Sequence, residues 1–294
     1  YAAGAAGGRG AYEALRAQLV WLKGRGVTLT PPGSVCRTGL SLKYCGGGAD
    51  IFFKACRAGD ARVLPMVLQV LHDELPPTGA ARSAALGRMI GTACTFKAEA
   101  NVRALLAAGA PAEGEHYAQG EEWCDWPRPL HFAANAARPG IVRALLGAGA
   151  SVDTRCVNGM AVVGGPLHHA AFGYGARSDG HDAARIDDAF ETARVLIAAG
   201  ADVNGLSVME RKTPLQLAIR GGFCDMIRFL IVEALADPDL NGAENDARRH
   251  KKKAVGRAFV RSVEELRGNG GRSERVEMRT AAAAAARERE SSGD

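Results

Sequence analysis

Aromatic residues make up only 6% of this 294-residue chain, too few for a core built from large rings. No run of about 18 apolar residues occurs, so no helical membrane span is expected. There is no CxxC pair. The seven cysteines (Cys36, Cys45, Cys56, Cys94, Cys124, Cys156 and Cys224) are odd in number and irregularly spaced, which argues against a disulfide framework or a zinc ribbon. The sequence carries no phosphate-cradling glycine loop, HExxH, GxSxG or kinase signature, and its carboxylates are not gathered into pairs. Nothing here makes a positive case for an enzyme, and no cofactor is expected. The stretch from Ala2 to Gly8 is too short and too apolar to be a signal peptide. A reducing compartment is therefore the expectation: the cytoplasm, with the nucleus as the alternative. The chain begins at Tyr1 rather than Met, as a fragment or processed product would.

What is abundant is small and apolar. Hydrophobic residues reach 47%, glycine is plentiful, and charged residues are 23%. Such a composition folds around a core and favours close helix–helix contact. The formal charge of +5 is localised. Residues 1–245 hold 24 basic and 24 acidic side chains, which cancel; residues 246–294 hold 13 and 8, and 13 − 8 = +5. The body is neutral and the excess lies near the C-terminus.

A repeat organises the middle of the chain. Four segments read alike: VRALLAAGAPAE (102–113), VRALLGAGASVD (142–153), ARVLIAAGADVN (193–204) and MIRFLIVEALAD (226–237). Each has apolar residues at helical spacing, and the first three end in Gly109, Gly149 and Gly200, where a left-handed helix cap is expected. A second apolar segment precedes each unit's end: residues 52–59, 90–97, 129–136, 166–173 and 213–222. There a large apolar residue is followed three positions later by Ala, as in Leu130/Ala133, Leu167/Ala170 and Leu215/Ala218. Thr213 and Pro214 suit the N-cap and first position of a helix. Each unit thus reads as helix, turn, helix, glycine-ended loop. Neither helix buries its stripe alone, so stacked neighbours must supply the core, with Leu130, Leu145, Leu146 and Leu167 inside it.

PLHFAANA, PLHHAAFG, TPLQLAIRGG and GADVN resemble the ankyrin repeat, with its TPLHxAA pattern and period of about 33. The resemblance covers about residues 50–240 as five units, of which the first two are degenerate. It implies an all-α solenoid of helix-turn-helix repeats with N- and C-terminal flanking helices. It also implies a non-catalytic adaptor or scaffold that holds a partner protein along its first helices and loop fingers. The leading apolar column is spaced 38, 40, 37 and 48 residues, never 33, so insertions are expected at 111–128 and 172–188.

The flanks have their own logic. Tyr12, Leu15, Leu19 and Leu22 share one helical face and are expected to cap the first repeat within a segment 1–49. A repeat domain over 50–241 is followed by a capping helix over 242–267, with Asn241 as its N-cap and a stripe of Val255, Ala258, Phe259, Val263 and Leu266. Residues 268–294 read as a disordered tail.

Several side chains invite a functional reading. His131 and His168 fall on the His of the TPLH pattern, which implies hydrogen bonding between repeats; His168 and His169, adjacent on a helix, are poor joint ligands. Cys56 and Cys94 share a repeat column and read as small core residues, since packed helices stand farther apart than a disulfide allows. His116, Cys124, Asp125 and His131 match no zinc spacing, so no metal is expected. The loop 114–127 concentrates Tyr117, Glu121, Glu122, Trp123, Asp125 and Trp126, residue types enriched at protein-binding hot spots; the competing expectation is that its tryptophans anchor the loop to the stack. The run Arg248, Arg249, His250, Lys251, Lys252, Lys253 reads as a solvated helix face, or else as a nuclear-import signal or nucleic-acid contact. An unidentified protein is the expected partner, with nucleic acid a lesser alternative, no membrane, and a monomeric chain.

Overall fold

The computed structural model describes residues 7–25, 55–56, 58, 60–70, 72, 79–95, 98–114, 123–124, 128–156, 164–173, 183–208 and 210–268. These fall into two compact units: 1–121 with 147–150, and 122–146 with 151–294. Nearly all regular structure is α-helical, as the repeat pattern requires. Exceptions among the described residues include a parallel pair of two-residue strands, a π-helical turn and a short 3-10 turn.

In the first unit, helix α1 (Gly7–Gly24) packs on α2 (Val63–Val70), which in turn meets α4 (Glu99–Ala107). Helix α3 (Gly79–Thr95) pairs with α4. The expected N-terminal cap is thus present, although of its four-residue stripe only Leu19 is fully buried. Lys23 Nζ ties α1 down by donating to the Val70 carbonyl at 2.6 Å. Asn101, almost wholly buried, donates its amide to the carbonyls of Ala55, Cys56 and Ala58, which closes off the helical segment that holds Ala55 and Cys56. Buried backbone carbonyls require such a donor.

The second unit is a two-layer stack. One layer holds the first helices of successive repeats: α5 (Pro129–Asn135), α7 (Pro166–Gly173), α9 (Pro214–Gly221) and α11 (Ala243–Arg249), each packed on the next. The other holds α6 (Pro139–Gly147), α8 (Ala183–Ala198), α10 (Cys224–Arg228, continuing as a π-helical turn Phe229–Glu233) and α12 (Lys253–Gly268). Strands β1 (Trp123–Cys124) and β2 (Arg155–Cys156) pair Trp123 with Arg155 and Cys124 with Cys156.

Burial follows the repeat columns. Leu130, Leu145, Leu167 and Leu215 are at most 3% exposed, and the small Ala133, Ala170 and Ala218 behind them at most 2%. Leu146 departs from expectation and is only half-buried. The buried stripe of α6 is Ile141, Val142 and Leu145. At 3.6 residues per turn, residue 146 stands about 100° round from residue 145 and falls at the stripe's edge.

Four further expectations are corrected. The helix expected over 90–97 begins much earlier, at Gly79. The helix α8 starts at Ala183, inside the stretch read as an insertion over 172–188. The single C-terminal capping helix is in fact a pair, α11 and α12, broken at His250, whose ψ of 136° is extended. Gly242, not Asn241, is the N-cap of α11. Of the five-residue stripe expected on α12, Val255, Phe259, Val263 and Leu266 are buried and Ala258 is half-buried; Ser262 is buried among them and donates its hydroxyl to the Ala258 carbonyl at 2.7 Å. The expected tail from 269 onward lies outside the described residues.

The loop glycines do what their position demands. Gly109, Gly149 and Gly200 have φ of 87°, 89° and 99°, and a Cβ at any of them would meet nothing within 4 Å. A substitution there is thus opposed by backbone strain alone. Gly200→Ala is expected to lower unfolding free energy by about 1–2 kcal/mol in urea denaturation, the cost of a left-handed non-glycine residue. Leu145→Ala, which opens a cavity at a fully buried site, is expected to cost about 2–5 kcal/mol. Against a typical total of about 5–15 kcal/mol its melting temperature falls visibly; an unchanged melting curve would refute the stacked core.

Candidate functional site

The polar residues inside the stack form one repeated bridge. At the third position of α5, α7 and α9 stand His131, His168 and Gln216. Each accepts from the backbone N–H three residues earlier: Arg128 to His131 Nδ1 at 3.1 Å, Gly165 to His168 Nδ1 at 3.2 Å, Thr213 to Gln216 Oε1 at 3.1 Å. The far end of each side chain then donates forward. His131 Nε2 meets the Thr154 carbonyl at 2.9 Å, and His168 Nε2 meets those of Gly205 and Lys212 at 3.0 and 3.2 Å. Gln216 Nε2 meets the Asn241 carbonyl and Asp246 Oδ2, both at 2.8 Å. A nitrogen that accepts from an N–H carries no proton, so both imidazoles are neutral with the hydrogen on Nε2. The inter-repeat role implied for His131 and His168 is therefore what the geometry shows.

Thr213 is the N-cap of α9, as expected. Its hydroxyl accepts from Gln216 N at 3.2 Å and Pro214 occupies the first helical position. Asn241, which sequence reasoning makes a cap, instead donates to Gln216 Oε1 at 2.8 Å and to the Arg211 carbonyl. Sequence reasoning misses the bridging role of Gln216, Asn241 and Asp246; the Gln at the His column of TPLQ is the available signal.

Burial sets the protonation of this layer. Desolvation pushes His131 down from 6.5 to about 4, and neighbouring Arg128 acts in the same direction. The His169 ring stands edge-on to His131, 5.0 Å between centroids, and is also held well below its ordinary value, by burial first and by the other two imidazoles second.

The outer helices carry a second pattern that sequence reasoning misses. Arg143, Arg194 and Arg228 occupy one column, two residues before a buried Leu. Arg143 pairs with Glu191, Arg194 reaches Glu233 at 2.7 Å, and Arg228 reaches Glu265 at 2.6 Å. These exposed pairs each contribute about 0–1 kcal/mol and chiefly neutralise the surface. Phe190 stacks on Phe229 beside them, 5.2 Å between centroids.

Of the proposed aromatic site, Trp123 lies in β1, so the segment read wholly as loop is locally a strand; its backbone is held beside residues 155–156. Tyr117, Glu121, Glu122, Asp125 and Trp126 lie outside the described residues. Among the described residues no group of three or more His, Cys, Asp or Glu could hold a metal ion. His116 and Asp125 of the rejected zinc set lie outside them. Cys56 and Cys94 are buried thiols, and burial pushes the Cys94 thiol far up. The basic run spans the end of α11, the turn at 250–252 and the start of α12. Arg249, Lys251, Lys252 and Lys253 are exposed, whereas Arg248 pairs with Glu244 at 2.6 Å.

Family models described as "Ankyrin repeats (many copies)" and "Ankyrin repeat" match residues 181–231 and 128–157. Those two stretches are thus ankyrin repeats by sequence, and the chain has the ankyrin repeat fold. Solved ankyrin folds agree. The human ASB11 ankyrin repeat domain is 19% identical, with 73% of this chain and 84% of that one covered and a TM-score of 0.52. The ankyrin repeat domain of Bcl-3, titled a unique member of the IkappaB protein family, is 19% identical over 73% and 86%, with a TM-score of 0.51. At that identity the likeness concerns the fold. A search of curated proteins by sequence found no match. Ankyrin repeats are generally protein–protein interaction modules.

The bridge makes a pH prediction. Because His131 has a lower pKa folded than unfolded, the unfolded chain binds a proton that the native state excludes between about pH 6.5 and 4. Stability is full above that window and falls as pH drops through it, by about 3 kcal/mol for this group at about 1.4 kcal/mol per unit. His131→Gln is expected to keep both bonds, as Gln216 does, and to flatten that part of the pH–stability curve measured by urea denaturation. A curve as steep as the parent's would overturn the assignment.

Proposed function

We propose that this protein is a non-catalytic adaptor or scaffold that binds a partner protein with its first-helix layer and finger loops. The observation that carries this reading is the bridge layer. Both ring nitrogens of His131 and of His168 are engaged, Nδ1 at the start of its own helix and Nε2 in holding repeat to repeat, which leaves recognition to the exposed edges. The fingers of the second unit present Asp153, Asp202, Asp237 and Asp239. The loop 114–127 adds Glu121, Glu122 and Asp125 around its tryptophans. A partner with apolar pockets and a basic rim complements that edge.

Trp123 and Trp126 are the anchors in this reading, with Tyr117 beside them. Pairing of β1 with β2 supports it by bringing the loop's backbone alongside the finger that comes after α6. A monomeric chain in the cytoplasm, with access to the nucleus, belongs to the same proposal.

The test begins with affinity capture on the full chain, with partners identified by mass spectrometry. The Trp123→Ala/Trp126→Ala double variant is then compared with the parent. Loss of about 2 kcal/mol per anchor, or about thirtyfold in affinity each, is expected with an unchanged melting temperature. A destabilised variant with normal partner affinity would mean that the tryptophans only fasten the loop.

A further inference from the structure

The surplus charge of the chain is concentrated on one face. In residues 246–268 there are eight basic side chains and three acidic ones, and 8 − 3 = +5, the whole net charge of the protein. The remaining residues 269–294 hold five of each and supply no counter-charge. Elsewhere in the second unit most cations meet carboxylates: Arg143, Arg194, Lys212, Arg220 and Arg228 are each ion-paired, Arg211 being an exposed exception. Arg249, Lys251, Lys252, Lys253, Arg257 and Arg261 are all exposed, and among the described residues none of them has an ion-pair partner.

Their placement makes them one surface. Lys253, Arg257 and Arg261 recur every four residues on α12, a single row about 12 Å long at 1.5 Å per residue. Arg249, Lys251 and Lys252 flank its start in the break between α11 and α12. Lys252 and Arg257 both lie within electrostatic reach of Cys224. The row ends at Glu265, which is paired with Arg228; on α11 Glu244 and Asp246 are paired with Arg248 and Lys212, and Asp225 and Glu264 are exposed nearby.

The chemistry of this face separates two kinds of anionic partner. Protein interfaces are centred on aromatic and apolar anchors. Here the large apolar side chain exposed on α12 is Val260, and among the described residues of α11 and α12 no Phe, Tyr or Trp is exposed. Nucleic-acid interfaces are more polar and far more positive. Single strands need aromatic platforms for base stacking, whereas a duplex presents a continuous phosphate array that cations alone can grip. We propose that the α11–α12 face binds the phosphate backbone of double-stranded nucleic acid, without sequence preference and independently of the finger edge. Arg248, spent on Glu244, is outside the surface; Arg257 and Arg261, beyond the basic run, are inside it.

The probe is a fluorescein-labelled 20-base-pair DNA duplex titrated with the full chain and tracked by anisotropy. Saturable binding at 50 mM salt is expected, and four to six phosphate contacts give a log–log salt slope of about −4 to −5. Lys252→Gln, Arg257→Gln and Arg261→Gln are each expected to reduce the slope by about 1. Replacing all six cations with Gln is expected to abolish binding, with the far-UV spectrum and melting temperature unchanged, since the cations are exposed. Arg143→Gln is expected to bind as the parent does. Absence of duplex binding at 50 mM salt would overturn the proposal. So would single variants with an unchanged salt slope, or a polyglutamate peptide that binds more tightly than the duplex at equal charge; the last would assign the face to an acidic protein segment.

Discussion

Everything in the second unit depends on one side chain per repeat that is acceptor at one end and donor at the other. The first helix of each repeat begins with backbone N–H groups that have no partner in their own helix. The finger of the next repeat ends in carbonyls facing the same layer. A neutral imidazole or a primary amide spans the two, and no charged group serves, because burial opposes charge there. His131, His168 and Gln216 are three solutions to that geometry. The consequence is strict neighbour dependence, since the polar demand of one repeat is met only when the next one is in place.

This arrangement divides the molecule's tasks between its inside and its faces. Apolar columns and bridges are fixed by packing. The outer helices are tiled with Arg–Glu pairs that leave little net field. Charge that packing does not require is then free to differ from edge to edge: carboxylates at the fingers, uncompensated cations where the chain turns from α11 into α12.

Much of this was legible in the sequence because its signals are local. Glycine after an apolar stripe marked the left-handed caps at Gly109, Gly149 and Gly200, and the leucine and alanine columns marked the core. Boundaries were harder. The helix Gly79–Thr95 mixes helix-favouring Ala with Gly87 and Gly91, which disfavour helix, so local propensity does not mark its start. The break at His250 carries neither Gly nor Pro, so RRHKKK reads as continuous helix by propensity alone. Asn241 has the chemistry of a cap, yet its amide serves Gln216 from the neighbouring repeat, a long-range demand that no local pattern encodes. Of the aromatic loop, strand pairing at Trp123 depends on residues 155–156, far along the chain.

The π-helical turn at Phe229–Glu233 shows how the stack tolerates change. In the second helices ending at Gly109, Gly149 and Gly200, five residues separate the last buried Leu from the buried Ala beyond it: Leu105 to Ala110, Leu145 to Ala150, Leu196 to Ala201. In α10 the interval from Leu230 to Ala236 is six. The added residue is taken up by a wider turn, with Ala236 N bonding the Leu230 carbonyl at 2.8 Å, and Leu235 adopts a φ of 57° where the others have glycine. A widened turn absorbs a one-residue insertion without rotating the chain beyond it. The second helix is thus an expansion joint: a codon gained there leaves the register of the next repeat, and every bridge beyond it, where it was.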